Sequence, residues 1–196
     1  MISIAIVGNI ASGKSTVETI LREKGYKVFD SDIIAHEVLD DLSEKIIEIF
    51  KDFDISENGK ISRQKLGTLI FNDKNLKVEL ENIVHPEIND RIKRIFDENS
   101  YEKYVFVSIP LLFEVGWRYL FDKVLFIYTK DNIRLRRLMH RNSFTEEEAL
   151  VRIKSQLLQE EKLKMSDFVV ENNGSIDVLQ KYIERFIIQL EDNGET

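Results

Sequence analysis

The residues with the most chemical content lie near the start of the chain, Gly8-Asn9-Ile10-Ala11-Ser12-Gly13-Lys14-Ser15. They fit the spacing G-x-x-x-x-G-K-[ST]. In that pattern glycines let the backbone curl so that successive N–H groups meet phosphate oxygens, a lysine reaches the β- and γ-phosphates, and a hydroxyl holds Mg²⁺. Average residue frequencies produce the pattern in roughly one chain of this length per hundred, and here the context fits as well. Apolar, β-branched Ile2 to Val7 precedes it as a buried strand, and Thr16 to Glu23 follows it as a helix with Val17, Ile20 and Leu21 on one side and Gly25 just past its end. A strand-to-helix turn also brings the positive end of the helix to the loop. Gly8, Ala11, Ser12, Gly13, Lys14, Ser15 and Thr16 are therefore the expected nucleotide contacts, Lys14 is also a catalytic candidate, and Ser15 is the expected Mg²⁺ ligand. Ala11 either keeps φ below zero or accepts strain.

Such a loop fixes a nucleotide but not a reaction, since kinases, regulatory GTPases and ATP-driven motors all use it. What stands opposite decides the class. A second short strand, Tyr26 to Phe29, runs into Asp30-Ser31-Asp32. Ligands of doubly wound sheets bind beyond the strand C-termini, and a short first crossover sets this strand beside the first, so these carboxylates are expected to face the loop. There Asp32 can take the proton of an attacking hydroxyl; its structural alternative is to cap a helix over Ile33 to Leu39. Asp30 reads as its support. Later, Arg134, Arg136, Arg137 and Arg141 crowd a helix beginning near Asp131. At 100° per residue Arg134, Arg137 and Arg141 share a face and Arg136 points elsewhere. Guanidinium forks suit phosphate oxygens; the alternative is a solvated helix paired with Glu146 to Glu148.

The elements that must position these groups follow from periodicity. Further buried strands are expected at Tyr104 to Ile109, Lys123 to Tyr128 and Asp167 to Val170, each separated by helical pattern, which makes an α/β fold with a doubly wound, five-stranded parallel sheet. Between the second and third strands the pattern is helical over Ser43 to Phe50, Arg63 to Phe71 and Leu76 to Phe96, with no convincing strand. A second helical excursion covers Asn132 to Met165, including a capping box at Thr145 and Glu148. Ile176 to Leu190 is an amphipathic helix expected to pack on the sheet, and Asp192 to Thr196 a frayed end. The core is accordingly expected in 1–31, 100–133 and 166–196, an inserted helical domain in 32–99, and the second helical segment in 134–165.

Composition narrows the chemistry from the other side. The 196 residues are 43% hydrophobic and 32% charged, as in a globular chain. With no cysteine and three histidines, thiolate metal sites, disulfides and a Cys nucleophile drop out. A net charge of -7 argues against a nucleic-acid coat or a membrane-bound surface. The first residues lack the basic, apolar and small-residue sections of a signal peptide, so the cytoplasm is expected. A monomer or small homo-oligomer is the expected assembly.

Five stretches taken in order resemble one family: the phosphate loop, Asp30-Ser31-Asp32 followed by Ala35-His36, Leu80-Glu81-x-x-x-His85-Pro86, Pro110-Leu111-Leu112-Phe113-Glu114, and Asp167-x-x-x-x-Asn172. Only the loop is specific alone, but the order and intervals together resemble dephospho-coenzyme A kinase over nearly the whole chain. The resemblance implies transfer of the γ-phosphoryl group of ATP to the ribose 3′-hydroxyl of dephospho-coenzyme A, with Mg²⁺, on a nucleotide-kinase-like core with a helical acceptor domain and a helical lid. It implies Asp32 as general base, Arg137 and Arg141 as lid arginines in catalysis, Arg63 as an acceptor contact, and His85 as a shaper of that pocket. The structural alternative for His85 is a histidine capping a helix turn before Pro86. Gln156, expected on the helix that Thr145 caps, coincides with a family glutamine, and Asn172 is the expected contact to adenine. Two departures stand out. The family loop is richer in glycine than one holding Asn9 and Ala11, and many relatives have Asp where this chain has Ser108, which leaves Asp30, Asp32 or Glu114 to act on Mg²⁺ through water.

Overall fold

A computed structural model describes residues 1–192. The described chain divides into two compact units, Asp30–Glu98 and the remainder, Met1–Phe29 with the chain from Asn99 onward.

The larger unit is built on one sheet. Its strands are β1 (Ile2–Val7), β2 (Lys27–Asp30, whose last residue opens the second unit), β5 (Tyr104–Ser108), β6 (Lys123–Tyr128) and β7 (Phe168–Glu171), in the spatial order β2-β5-β1-β6-β7. β1 pairs in parallel with both β5 and β6, and β6 with β7. The expected five-stranded parallel sheet is thus present, with one correction to its order: β5, not β2, is the neighbour of β1. The reason is visible in burial. Ile4 to Val7 and Val105 to Val107 have no exposed surface at all, as central strands buried on both faces require, whereas β2 is only partly buried, as an edge strand is.

α1 (Lys14–Glu23) and α9 (Ile176–Asp192) join this core, with Val17, Ile20, Leu21, Leu179, Ile183, Phe186 and Leu190 clustered against Ile4, Ile6, Phe106, Leu125 and Ile127. α9 buries Leu179, Ile183, Phe186 and Leu190 of the stripe that its period assigns, with Ile187 partly buried and Ile176 49% exposed. Asp192 closes this helix; the rest of the expected frayed end lies outside the described residues. α6 (Asp131–Asn142), α7 (Glu146–Lys154) and α8 (Gln159–Lys164) follow β6 and make up the second helical excursion. The turn between α6 and α7 puts Ser143 at φ 55, and the Thr145–Glu148 capping box opens α7 as expected.

The smaller unit is helical: α2 (Ser31–Asp41), α3 (Ser43–Ile49), α4 (Arg63–Asn72) and α5 (Lys74–Glu98). The chain corrects the expectation of no strand here, since β3 (Ser56–Glu57) and β4 (Lys60–Ile61) form a two-stranded antiparallel hairpin. Asn58-Gly59 supplies the two positive φ angles that a tight hairpin turn needs, 52° and 76°. α5 runs unbroken through Pro86, which overturns the reading of His85 as a cap before that proline. Proline costs an interior helix about 3 kcal/mol, and the buried stripe Leu80, Val84, Ile88 and Ile92, continuous on both sides of it, offsets that cost.

Candidate functional site

The phosphate loop is shaped by where its carbonyls go. The Ser12 carbonyl accepts from Thr129 Oγ1 at 2.9 Å, from Asn172 Nδ2 at 2.8 Å and from Arg137 Nη1 at 3.5 Å. The Ile10 carbonyl accepts from Arg134 Nε at 3.0 Å, and the Ile10 N–H donates to Gln156 Oε1 at 2.7 Å. Asn9 Nδ2 donates to the Leu157 carbonyl at 2.8 Å. Side chains from the ends of β6 and β7, from α6 and from the segment after α7 thus fix the loop from outside. Among the described residues the N–H groups of Ala11, Gly13, Lys14 and Ser15 donate to no backbone carbonyl. Four free donors at the positive end of a helix form a concave anion site.

Both glycines of the curl sit where a side chain would crowd the loop's own contacts. Gly13 sits at φ 85, where an added Cβ would collide with Asn172 Nδ2, and at Gly8 it would collide with Ser12 Oγ. Ala11 adopts φ 62. The strain alternative is therefore the one realised, at a cost of about 1–2 kcal/mol for an L-residue in this region. The buried Ser12 Oγ has no hydrogen-bond partner, an open valence inside the loop that suits a phosphate oxygen.

Beneath the loop, the Lys14 ammonium donates to Glu18 Oε1 at 2.9 Å and also to the Ser108 hydroxyl, which itself donates to the same Glu18 oxygen at 2.6 Å. Burial alone would raise the Glu18 pKa, but the hydrogen bonds from Ser108 and Lys14 and the charges of Lys14 and Arg22 outweigh it, so the carboxyl is held below its usual value and ionised. Neither Glu18 nor the bridging part of Ser108 was singled out from sequence. The available signal was a carboxylate at i+4 from the loop lysine, set among Val17, Ile20 and Leu21 on the buried side of α1.

The arginine cluster divides in two. Arg134 is 2% exposed, paired with Asp131 at 2.8 Å and bonded to Ile10, so it supports the loop. Desolvation lowers its pKa against the opposing pull of Asp131. Its Nη2 and Asn9 Oδ1 are buried without partners and belong to residues lining a cavity of about 480 Å³. Arg137 and Arg141 share an open cleft with Arg136 and His140, and there the expected shared face is corrected: Arg136 lines the cleft, and Arg134 is buried against the loop. Arg137 also donates to the Asn172 carbonyl at 3.1 Å. Of the expected ion pairing with Glu146 to Glu148, Glu148 instead closes its own cap with Thr145.

Other expected residues fall as follows. Gln156 lies beyond the end of α7 rather than on it, and Asn172 is buried with its amide engaged on the loop. Glu114 pairs with the fully buried Lys162 at 2.7 Å and accepts from the Leu157 N–H. Besides the carboxylates named from sequence, the larger unit offers a divalent cation the exposed Ser15 hydroxyl and the Glu18–Ser108 pair. Among the described residues no cluster of three or more His, Asp or Glu could hold a metal alone, so this set fits Mg²⁺, which keeps several waters and takes ligands from phosphate.

In the helical unit, the Asp30 carboxylate accepts from the Asp32 N–H at 2.9 Å. Asp30 is thus the cap of α2, and the capping role considered for Asp32 is corrected; Asp32 lies exposed in the first turn. Arg63, at the start of α4, pairs with Asp40 at 2.7 Å. His85 is half-buried on α5, and desolvation lowers its pKa, keeping the ring neutral at pH 7. Arg91 ties α5 to α2 through Asp41 and Glu37.

A parallel sheet whose central strand delivers a braced G-x-x-x-x-G-K-S loop into a helix defines a P-loop nucleotide-binding enzyme. Comparison with known proteins gives the family. The family model described as dephospho-CoA kinase matches residues 2–177. A dephospho-CoA kinase of Listeria innocua is 40% identical over 197 residues, covering 94% of this chain and 97% of the relative. Among solved structures, a dephospho-CoA kinase from Campylobacter jejuni superposes with a TM-score of 0.78 at 34% identity, covering 97% of this chain and 98% of that one. The protein TT1252 from Thermus thermophilus superposes with a TM-score of 0.83 at 36% identity, covering 96% and 97%. The chain belongs to the dephospho-CoA kinase family.

Proposed function

We propose that this chain transfers the γ-phosphoryl group of ATP to the ribose 3′-hydroxyl of dephospho-coenzyme A, giving coenzyme A and ADP. The observation that carries the acceptor is the extent of the family match, residues 2–177, which takes in Asp32, Arg63 and His85 as well as the loop. The loop supplies the nucleotide half: N–H groups of Ala11, Gly13, Lys14 and Ser15 and the Lys14 ammonium receive the phosphates, and Asn172 holds the loop backbone and contributes the end of β7 to the adenine side.

In the reaction the ribose 3′-oxygen attacks the γ-phosphorus, the bond to the β–γ bridging oxygen breaks, and ADP leaves with that electron pair. Asp32 takes the hydroxyl proton. Lys14 with Arg137 and Arg141 balances charge on the transferring group, and the α6–α8 segment, closing as a lid, keeps water from competing for it. Mg²⁺ bound at Ser15 would add charge neutralisation on the phosphates. Arg63 and His85 serve the acceptor, and the cytoplasm is where the reading places the enzyme.

The test is purified protein with ATP and a panel of acceptors, with ADP release followed. Release with dephospho-coenzyme A well above the water background is the expected result. Release with nucleosides or nucleoside monophosphates alone would reassign the acceptor, and release insensitive to every acceptor would favour a nucleotide-controlled switch.

A further inference from the structure

Glu18 is the feature of the core that its surroundings do not explain. Its side chain is 5% exposed on the face of α1 that otherwise buries Val17, Ile20 and Leu21. A buried carboxylate costs several kcal/mol unless fully paired, and an apolar residue of similar volume would pack there without that cost. Its partners are functional groups. One oxygen receives both the Ser108 hydroxyl at 2.6 Å and the Lys14 ammonium at 2.9 Å, and the other lies 3.6 Å from Arg22 Nη2.

Phosphate-loop enzymes hold their metal with the Ser or Thr after the loop lysine and with an acid on a neighbouring strand. Here the neighbour of β1 ends in Ser108, which is fully buried and has no charge to offer. The carboxylate at that strand end comes from the helix instead. Ser15 and Glu18 are i and i+3 on α1, neighbouring positions of the helix, with Ser15 exposed and Glu18 buried at the end of β5, a spacing that one cation keeping its waters can bridge.

We propose that Glu18, anchored by Ser108, is the carboxylate this chain presents to the divalent cation of its nucleotide, and that Lys14 holds it in place until the metal and phosphates arrive. The proposal rests on the nucleotide-binding reading above. It makes a signed prediction: without metal the carboxylate repels phosphate and occupies Lys14, whereas with metal it attracts the cation that the phosphates carry.

The experiment titrates a fluorescent methylanthraniloyl-ADP into wild type and Glu18→Gln, first in EDTA and then at graded Mg²⁺. Bound Mn²⁺ is counted by electron paramagnetic resonance in the ADP complex. Glutamine keeps the shape and still accepts from Ser108. In EDTA the variant should bind the nucleotide several-fold more tightly, while its half-saturating Mg²⁺ and Mn²⁺ concentrations rise about tenfold, the worth of one charged contact. Ser108→Asp added to Glu18→Gln should bring metal half-saturation back toward wild type by returning the charge to the strand. A folded Glu18→Gln protein with unchanged metal half-saturation overturns the proposal and leaves Glu18 as a structural partner of Lys14. Should Glu18→Gln not fold, Ser108→Ala removes the anchor and keeps the charge; metal half-saturation should rise a few-fold, and an unchanged value likewise overturns the idea. A wild type that binds no methylanthraniloyl-ADP would overturn the nucleotide reading itself, a result distinct from either.

Discussion

The phosphate loop and the helical unit carry their candidate groups in opposite ways. Around the loop, nearly every polar contact joins residues far apart in sequence: Ser12 to Thr129 and Asn172, Ile10 to Arg134 and Gln156, Asn9 to Leu157. The partners are mostly buried, Thr129 and Asn172 at 0% and 6% exposure. In the helical unit the candidates are held by near neighbours or on the surface. Asp32 is set by Asp30, and Arg63 meets Asp40 where both side chains stand about half exposed or more, at 47% and 63%. A braced loop can present its donors without reorganising when phosphate arrives, which is what electrostatic stabilisation of a transferring group requires. Surface pairs contribute about 0–1 kcal/mol each, so groups held this way can exchange a protein partner for a substrate at little cost. Rigidity sits with the phosphate loop and exchangeability with the helical unit.

The sharpest way to break this contrast is Lys14→Ala. Turnover is expected to fall by about 10³-fold or more, since the lysine acts on transition-state charge in the preorganised half; steady-state kinetics on a protein with an unchanged circular dichroism spectrum gives the answer. Asp32→Asn should lower turnover by about 10²–10⁴-fold with nucleotide affinity unchanged, because the loop lies in the other unit and loses nothing. Wild-type turnover would move the base elsewhere. Arg137→Ala is expected to cost about 10²-fold in turnover and far less in ground-state ATP affinity. Equal losses in both, measured by kinetics and by calorimetric titration, would make Arg137 a brace of Asn172 rather than a participant.

Smaller effects test the energetics. Arg63→Ala should raise the KM for dephospho-coenzyme A several-fold while changing stability by less than about 0.5 kcal/mol in urea unfolding, as an exposed pair predicts. A larger stability loss would show the helical unit to be more tightly held than its contacts indicate. Ala11→Gly relieves the φ 62 strain but frees the unfolded chain, and the two terms are of opposite sign at about 1–2 and 0.4–1 kcal/mol. Net stabilisation between about 0 and 1.6 kcal/mol is expected in the same unfolding experiment.

Much of this was legible in the residues. The loop, its flanking strand and helix, β5, β6, the helices α3, α4 and α5 of the insertion and the α7 capping box are all local patterns, in which period, glycine placement and a Thr-x-x-Glu spacing act within a few residues. Harder to read were the groups whose roles come from distant partners. Thr129 gives no sign in sequence that its hydroxyl will reach the Ser12 carbonyl, and Gln156 and Arg134 give none that they clasp Ile10. The β3–β4 hairpin was missed because its two-residue strands fall below any periodicity, although Asn58-Gly59 marked its turn.

The sequence by itself determined that a phosphate-binding turn would form between a buried strand and a helix, because glycine spacing and apolar periodicity act locally. Only the tertiary structure decided which strand would flank it, which side chains would draw its carbonyls outward, and that a carboxylate from α1 would stand at the end of β5. Those outcomes depend on contacts across ninety residues or more, as from Glu18 to Ser108. Contacts of that kind are set by how buried surfaces share one core, which no local window of the chain contains.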